Sequence, residues 1–439
     1  PGVDLCGLGR TAPAVLAGIF NQISLSPTIG HFSGYEARIN GALFTLPGGE
    51  VKIAAGYEGQ EFKVDLGNAR GNPDTPLVFV VRGRRVDSGY AEMLIPLFGP
   101  QNAMTGFHRL EVNAAVRYDR YSDVGDTTNP KFGVNWEPVE GLKLRGSYGT
   151  SFRAPTLPQI YGNSNQLFVQ NYQNPAGGSP IIGVARSGGN LNLSPETATT
   201  YSFGADLEPL PRLRLSGTYF SVDYKNQVIA LLSDLSVLTR LSQYAGTGLI
   251  TQGAGAAPII QALINGGMPV SGALPGGSAS NVTVYVDGRS QNLGRSITRG
   301  LDFQATYSIP TENAGTFGIN LSGTYLLGFK TMQTPTAPRM NQLNQIFQPL
   351  RFKARAALNW DYGPVNVLLR ATHVGGYLNN AITPNQQVKS YTPIDLNVTF
   401  KIGEDQAKPF SIGFEARNVF DIDPPYVNIA PSQNGSGGY

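Results

Sequence analysis

The sequence of 439 residues has few charged side chains, a single cysteine and no long apolar run. Charged residues make up 14% of the chain, against roughly 25% in ordinary soluble domains. A net charge of +3 is too small to indicate a nucleic-acid partner. No apolar run approaches the roughly 18 residues of a transmembrane helix, and one cysteine, Cys6, excludes an internal disulfide. A transmembrane β-barrel is not excluded by this test, because alternate residues that face a polar lumen lower the mean hydropathy of each strand.

The residues of common catalytic and metal sites are also scarce. Three histidines, His31, His108 and His373, lie on different predicted strands without metal-ligand spacing. No G-x-S-x-G nucleophile motif occurs, and a turn at Asp-Pro-Pro explains the pair Asp421 and Asp423. We therefore predict no enzyme activity, no catalytic residue, no metal site and no cofactor.

The clearest pattern lies between Asn129 and Pro155. One strand alternates apolar residues at 132, 134 and 136 with polar or small ones, and a second strand alternates from 142 to 153. Glu-Pro-Val-Glu-Gly between them is a turn signal. After Phe152 the strand is broken by Arg-Ala-Pro, and a segment rich in Gly, Asn, Pro and Gln runs to about residue 194. The sequence predicts a hairpin with one short end and one very long end.

Similar alternation continues along the chain, and we predict about fourteen strands between residues 32 and 419. Residues 1–31 are predicted to be a loop or the remnant of a broken strand. Short connections such as Pro-Leu-Pro alternate strictly with longer ones, and the long loops are 152–194, 228–293 and 331–350. Within the second of these, PIIQALI predicts one or two turns of helix. The predicted fold is all-β, a transmembrane antiparallel up-and-down barrel with long extracellular loops and short periplasmic turns.

The two predicted faces differ in chemistry. Aromatic residues recur near strand ends, where interfacial girdles of barrels lie. The inward face carries both signs of charge, on Arg145, Arg214, Asp302, Arg355, Arg370, Lys401, Glu415 and Arg417. We therefore expect an interior that is filled by water or by a polar plug.

Five phrases resemble the TonB-dependent outer-membrane receptors. These are NPKFGVNW (129–136), SYGTSFRAP (147–155), LNLSPETATTYSFGADLEP (191–209), TYFSVDYKNQV (218–228) and ARNVFDIDPPYVN (416–428). The resemblance implies a barrel of about twenty-two strands around a globular plug. It also implies energy-coupled uptake of a scarce nutrient, such as an iron-siderophore complex, cobalamin or a carbohydrate.

The chain departs from this family pattern at both ends. No plug and no energy-coupling box precede the strands, and no final strand with a terminal aromatic follows before Tyr439. The chain also begins without an initiator Met or a signal segment. We therefore expect residues 32–439 to be a fragment of the barrel, with about 14 of about 22 strands, and expect the parent gene to encode a plug.

The resemblance also implies a place and a set of partners. The protein is expected to be integral in the outer membrane of a Gram-negative bacterium. Its expected partners are outer-membrane lipid, a small nutrient ligand and the TonB energy-coupling complex, the last through a plug absent from this chain, with no nucleic acid. A passive porin-type channel is the alternative. Candidate ligand contacts are residues near or within the long loops, namely Arg153, Tyr161, Phe168, Tyr172 and Phe347.

Overall fold

The computed structural model describes residues 23–71, 73–162, 165–403 and 410–428, together with residues 13, 15 and 21. Cys6 and Tyr439 lie outside these residues. In chain order the elements are β1 (Ile23–Leu25), β2 (Thr28–Leu46), β3 (Gly49–Gly71), β4 (Val78–Phe98), β5 (Arg109–Tyr121), β6 (Gly125–Val139), β7 (Leu142–Arg153), α1 (Leu157–Tyr161), β8 (Leu167–Tyr172), β9 (Ile181–Arg186), β10 (Glu196–Leu210), β11 (Leu213–Ile229), β12 (Ile250–Gln252), α2 (Ala256–Asn265), β13 (Val270–Ser271), β14 (Val284–Asp287), β15 (Gln291–Pro310), β16 (Thr316–Met332), β17 (Met340–Asn341), β18 (Phe352–Tyr362), β19 (Val365–Val374), β20 (Tyr377–Asn379), β21 (Gln386–Val388), β22 (Ile394–Ile402) and β23 (Phe410–Ala416). Short 3₁₀ turns cover Val237–Tyr244, Gly253–Gly255, Pro275–Gly277 and Ala279–Asn281.

One long antiparallel sheet holds most of these strands. It contains 16 strands, of which β1 and β17 are short additions at the margins. The other fourteen, 16 less those two, run from β2 to β23 and pair with their neighbours in sequence. This is the predicted up-and-down antiparallel fold. β2 begins at Thr28 and β1 at Ile23, so the strands start somewhat earlier than the predicted boundary at residue 32.

The register sorts side chains onto two chemically distinct faces. Residues paired directly across an antiparallel ladder lie on the same face. One row across β10, β11, β15, β16, β18 and β19 is apolar, consisting of Leu207, Leu215, Ala305, Leu321, Ala356 and Ala371. The adjacent row is polar, consisting of Asp206, Ser216, Gln304, Ser322, Arg355 and Thr372. The predicted apolar outward face and polar inward face are therefore confirmed.

The buried apolar residues lie mainly in the loops, and the sheet itself is a single layer. In the long strands the buried apolar residues are Val51, Leu66, Ala69 and Val86. Outward side chains are exposed instead, for example Phe203 at 62% and Ile412 at 61%. A water-soluble protein seldom exposes so continuous an apolar surface. An apolar outer face and a polar inner face are the pattern of a transmembrane barrel wall.

Both tryptophans of the chain lie at the end of the sheet that carries the short turns. Trp136 Nε1 donates to the Gly106 carbonyl at 2.8 Å, and Trp360 Nε1 donates to the Ala314 carbonyl at 2.7 Å. The ring of Trp360 stacks on Tyr362, with 5.9 Å between ring centroids. Rings that keep one polar atom bonded and one apolar face exposed suit a membrane–water interface.

The connections follow the predicted alternation of short and long in most places and depart from it in one. Two-residue turns join four hairpins on one side, and Gly141 and Arg212 there have positive φ, as hairpin turns require. On the opposite side, however, residues 122–124 form a three-residue turn that is shorter than the connection at 99–108. The expected strict alternation in size is wrong at this point, because β6 already begins at Gly125 (φ +84°) and closes its hairpin directly. Residues 375–393 form a further long connection on this side, as the alternation predicts, although no bounds were predicted for it.

No helix among the described residues has the length and hydropathy needed to cross a membrane.

Candidate ligand-binding site

The carboxylate of Glu196 connects strand ends at which the two longest loops begin or end. These strand ends, at residues 153, 196 and 228, are called the loop root. Glu196 is the first residue of β10 and is 1% exposed. It pairs with the guanidinium of Arg153, the last residue of β7, and accepts hydrogen bonds from Tyr224 Oη and the Val228 amide, both at 2.6 Å. Residue 153 precedes the loop 154–195, and residue 228 precedes the loop 230–290. One buried carboxylate therefore connects three strand ends, and both of its oxygens accept hydrogen bonds.

The phrase Phe-Arg-Ala-Pro at the end of β7 is held by partners on other strands. The Phe152 ring packs edge-on against Tyr121, with 5.6 Å between centroids. The Pro155 carbonyl accepts from Arg84 Nη2 at 2.7 Å, and Arg84 is also paired with Asp123 at 2.8 Å. The first residues of the long loop are consequently fixed to the rim of the sheet. Arg153, a predicted ligand contact, is a structural partner of Glu196 here, although 63% of its side chain remains exposed.

The loops 154–195 and 230–290 fold together into a small domain. Its five strands lie in the order β12, β14, β9, β8 and β13, and the pairs β9 with β14 and β8 with β13 are parallel. Each parallel pair joins one loop to the other. Helix α2, which was predicted from PIIQALI, packs on one side of this sheet, and the 3₁₀ turn at 237–244 packs on the other. Two apolar clusters result, so these loops carry a core of their own.

Phe168 and Tyr172 both lie on β8 of this loop domain, but their environments differ. Phe168 is half-buried, whereas Tyr172 is fully buried among Leu231, Val237 and Leu238. Burial raises the pKa of the Tyr172 phenol above its ordinary value. Its hydroxyl has no hydrogen-bond partner among the described residues. Tyr172 is thus a core residue in this structure, and it offers no surface to a ligand.

A second loop assembly carries Phe347. Residues 333–351, the hairpin β20–β21 and residues 417–428 hold one another through side-chain hydrogen bonds. Asn344 Nδ2 donates to the Gly376 carbonyl at 3.0 Å, and Asn379 Nδ2 donates to the Asn428 carbonyl at 2.7 Å. Thr334 Oγ1 donates to the Gln243 carbonyl at 2.8 Å and so ties this assembly to the loop domain. Phe347 lies at the surface with 81% of its area exposed and with φ at +60°.

Tyr161 lies on the inward side, at the rim of the sheet. It ends helix α1, whose first turn is capped by Thr156 and Gln159 in a reciprocal pair of hydrogen bonds. The Arg82 guanidinium covers the Tyr161 ring at 4.8 Å from its centroid. The five candidate contacts therefore do not form one cluster. Arg153 and Tyr161 lie near the loop root, Phe168 lies in the loop domain, and Phe347 lies in the other assembly.

The inner face below the loops is a polar wall. Arg145 pairs with Asp206 at 2.9 Å and also donates to Ser216 and Thr218 on the next strand. A cavity of about 700 Å³ extends from there to Lys353 and Arg355. Among the described residues, no carboxylate forms an ion pair with either of these two cations. The described residues also contain no group of three or more His, Cys, Asp or Glu side chains that could hold a metal ion.

Several residues of the site were not identified from the sequence. Glu196 is part of the family-like phrase LNLSPETATTYSFGADLEP, but no local pattern indicates that its partners lie on β7 and β11. Arg82 and Arg84 could have been noticed, because two arginines with one residue between them fall on the same face of a strand. Their different environments depend on residues 123 and 161, which are far away in sequence.

Comparison with known families gives one match over most of the chain. A family model described as TonB dependent receptor-like, beta-barrel, matches residues 16–419. Among curated proteins, a hemin receptor of Yersinia pestis is 28% identical over 155 residues, which are 30% of this chain and 21% of that receptor. A hemin receptor of Yersinia enterocolitica is 30% identical over 133 residues, which are 27% of this chain and 18% of that receptor.

Solved structures share the fold. A mutant of the ferric enterobactin receptor of Pseudomonas aeruginosa superposes with a TM-score of 0.63 and 18% identity, covering 94% of this chain and 51% of its own. The siderophore receptor PirA of Acinetobacter baumannii gives a TM-score of 0.58 and 16% identity, covering 90% and 51%. The chain thus spans about half the length of these receptors, and the likeness is one of fold.

Proposed function

The chain belongs to the TonB-dependent receptor-like β-barrel family, and we propose that the protein is an outer-membrane receptor that takes up an iron-bearing small ligand, either a siderophore complex or hemin. The match to the family model carries the receptor class. The choice of cargo is supported by the hemin receptors that resemble part of the chain and by the siderophore receptors that share its fold.

The location in a Gram-negative outer membrane is supported by the chemistry of the sheet. Its outward rows are apolar from β10 to β19, and its tryptophans lie at the short-turn rim. A strand needs about 9 to 11 residues to cross the hydrocarbon core, and strands such as β7 with 12 residues and β18 with 11 are long enough. The short turns would then be periplasmic and the loop domain extracellular.

The folded loops support a receptor that captures its ligand outside the cell. A simple diffusion channel needs no separately packed domain of two loops, whereas a receptor needs a rigid surface that presents contact residues. Phe347 and Phe168 are the aromatic candidates on this side with exposed area, and Tyr161 is the candidate at the rim. Arg153 fixes the start of the long loop through Glu196, and the 63% of its side chain that stays exposed remains a candidate for ligand contact.

Energy coupling would reach the barrel wall through a plug. The inner wall has a broad polar cavity, and its Lys353 and Arg355 have no ion partner among the residues that the structure describes. Such a wall suits contact with a polar plug, which would replace water as the hydrogen-bonding partner. The TonB complex would act on that plug. A passive porin would have the same strands but no dependence on energy.

The proposal is tested by iron nutrition. A strain that lacks the gene is grown with hemin, or with single ferric siderophores, as the only iron source, and uptake of radioactive iron is measured. We expect loss of uptake for one of these sources, restored by the gene and abolished again when TonB is removed. Uptake that persists without TonB would support the porin. Unchanged growth on every iron source would contradict the iron-receptor proposal.

A further inference from the structure

A small cavity lies between the inward face of β3 and β4 and the end of helix α1. Its volume is about 480 Å³, within the roughly 300 to 1,000 Å³ of small-molecule sites. Leu66 and Val80 give it an apolar wall. Asn68 and Asn165 bring amide groups to it, and Arg82 and Tyr161 lie at its end. The cavity lies at the end of the sheet that carries the long loops.

Arg82 is a cation without a carboxylate partner in the described part of the chain. None of the described carboxylates forms an ion pair with it, and among the same residues its buried Nε has no hydrogen-bond acceptor. The Tyr161 ring lies against its guanidinium, with Arg82 Cζ 4.8 Å from the ring centroid, and this contact helps to position the guanidinium. A fixed guanidinium with unused donors is arranged to accept an anion, since leaving buried donors unsatisfied is unfavourable.

The next arginine on the same face, Arg84, has its Nε and Nη2 donors satisfied within the protein. Arg84 lies two residues further along β4 and donates from both Nε and Nη2 to Asp123, at 2.9 and 2.8 Å. A third bond reaches the Pro155 carbonyl, and only 10% of its side chain is exposed. Arg84 therefore has its acceptors supplied by the protein. Arg82 has the same chemistry and lies on the same face, but none of the described residues supplies it with such acceptors.

We propose that Arg82 and Tyr161 form a binding site for a small aromatic carboxylate, as a free molecule or as a group of the cargo. The guanidinium fork matches the two oxygens of a carboxylate. The aromatic ring of the ligand lies against Leu66 and Val80, and the two asparagine amides contact its polar substituents. A phosphate would fit poorly, because its second negative charge would need a second free cation, and Arg84 is already neutralised. This ligand class rests on the receptor function proposed above.

The site is tested with 4-fluorobenzoate and its neutral analogue 4-fluorobenzamide, titrated into the full protein in detergent and followed by fluorine NMR. We expect the carboxylate to bind with a dissociation constant on the order of millimolar and the amide to bind at least about tenfold more weakly. Arg82→Gln should weaken carboxylate binding by about tenfold or more. Arg82→Lys should bind with intermediate strength, because it retains the charge but not the fork.

The matched control is Arg85→Gln. Arg85 is three residues away from the site of Arg82 on the opposite face and pairs with Asp87, so this variant removes one positive charge without touching the cavity. Tyr161→Phe should retain binding and Tyr161→Ala should lose it, which tests the site with Arg82 intact. Equal binding by Arg82→Gln and Arg85→Gln, or equal binding of the amide and the carboxylate, would overturn the proposal.

The two proposals fail separately. Normal iron uptake in a strain whose purified receptor does not bind 4-fluorobenzoate would remove the carboxylate site and leave the receptor function. Binding that depends on Arg82 in a protein without iron uptake would leave the site and remove the choice of iron as cargo.

Discussion

Replacing Glu196 by alanine should loosen both long loops without unfolding the sheet. The carboxylate is 1% exposed and receives hydrogen bonds from Arg153, from Tyr224 Oη and from the Val228 amide. Alanine removes all of these acceptors at once. Arg153 then turns to water, since 63% of its side chain is already exposed. Tyr224 and Val228 are half-buried and lose a partner that water replaces only in part.

The size of the effect follows from these contacts. An orphaned donor costs about 1 to 3 kcal/mol when buried, and we take about 1.5 kcal/mol for each of the two half-buried donors. The exposed Arg153 adds about 0 to 1 kcal/mol. The free energy of opening the loop root should therefore fall by about 3 to 4 kcal/mol, which corresponds to a factor of about 100 or more in the opening equilibrium.

Hydrogen exchange of the backbone amides of β8, β9 and β14 measures that opening equilibrium directly. The control is Glu208→Ala on the same strand, because Glu208 and Arg214 form an exposed pair with 55% and 74% of their side chains accessible. This control should change the exchange by less than about fivefold. Glu196→Gln should fall between the two, since it keeps one acceptor oxygen. Equal exchange in Glu196→Ala and Glu208→Ala would refute the role of Glu196.

Three further predictions concern the membrane, the topology and the loop core. Spin labels at Leu144, Leu321, Leu396 and Ile412 should be relaxed by a lipid-soluble agent and not by a water-soluble one, and Leu321→Lys should destabilise the barrel by about 2 to 4 kcal/mol near the midplane. In a Cys6→Ser background, cysteine at Ser280 should react with an impermeant reagent on intact cells, and cysteine at Glu140 should not; the reverse would invert the topology. Tyr172→Phe should leave the loop domain at least as stable, because it removes a hydroxyl that has no hydrogen-bond partner among the described residues. Burial raises the pKa of Tyr172, so its contribution to the free energy of unfolding of the loop domain should be constant below about pH 10. Above about pH 10 this contribution should be lost, because the phenol ionises in the unfolded state first. The rate of proteolysis of the loop, measured against pH, should show this loss in the native protein and not in Tyr172→Phe.

The sequence by itself determined which residues face which side of the wall. Leu144 and Arg145 lie on opposite faces because successive side chains of a strand alternate, and this depends on nothing beyond the neighbouring residues. The number of long strands was predicted from the same alternation, and short turns such as 140–141 were predicted from their turn residues. The apolar patch PIIQALI predicted one or two turns of helix, and the structure has a helix at Ala256–Asn265. Local sequence also carried the family phrases, so the receptor class followed from them together with the alternation.

Only the tertiary structure decided how the loops are built and which candidate residues stay accessible. The parallel pairs β9 with β14 and β8 with β13 join segments about a hundred residues apart, and no local period encodes such a partner. Tyr172 and Phe347 both looked like loop aromatics, yet one is enclosed by the loop core and the other is exposed. Arg82 and Arg84 differ because Asp123 reaches only one of them. Burial and charge pairing are properties of residues brought together by folding, whereas the alternation of faces belongs to each strand alone.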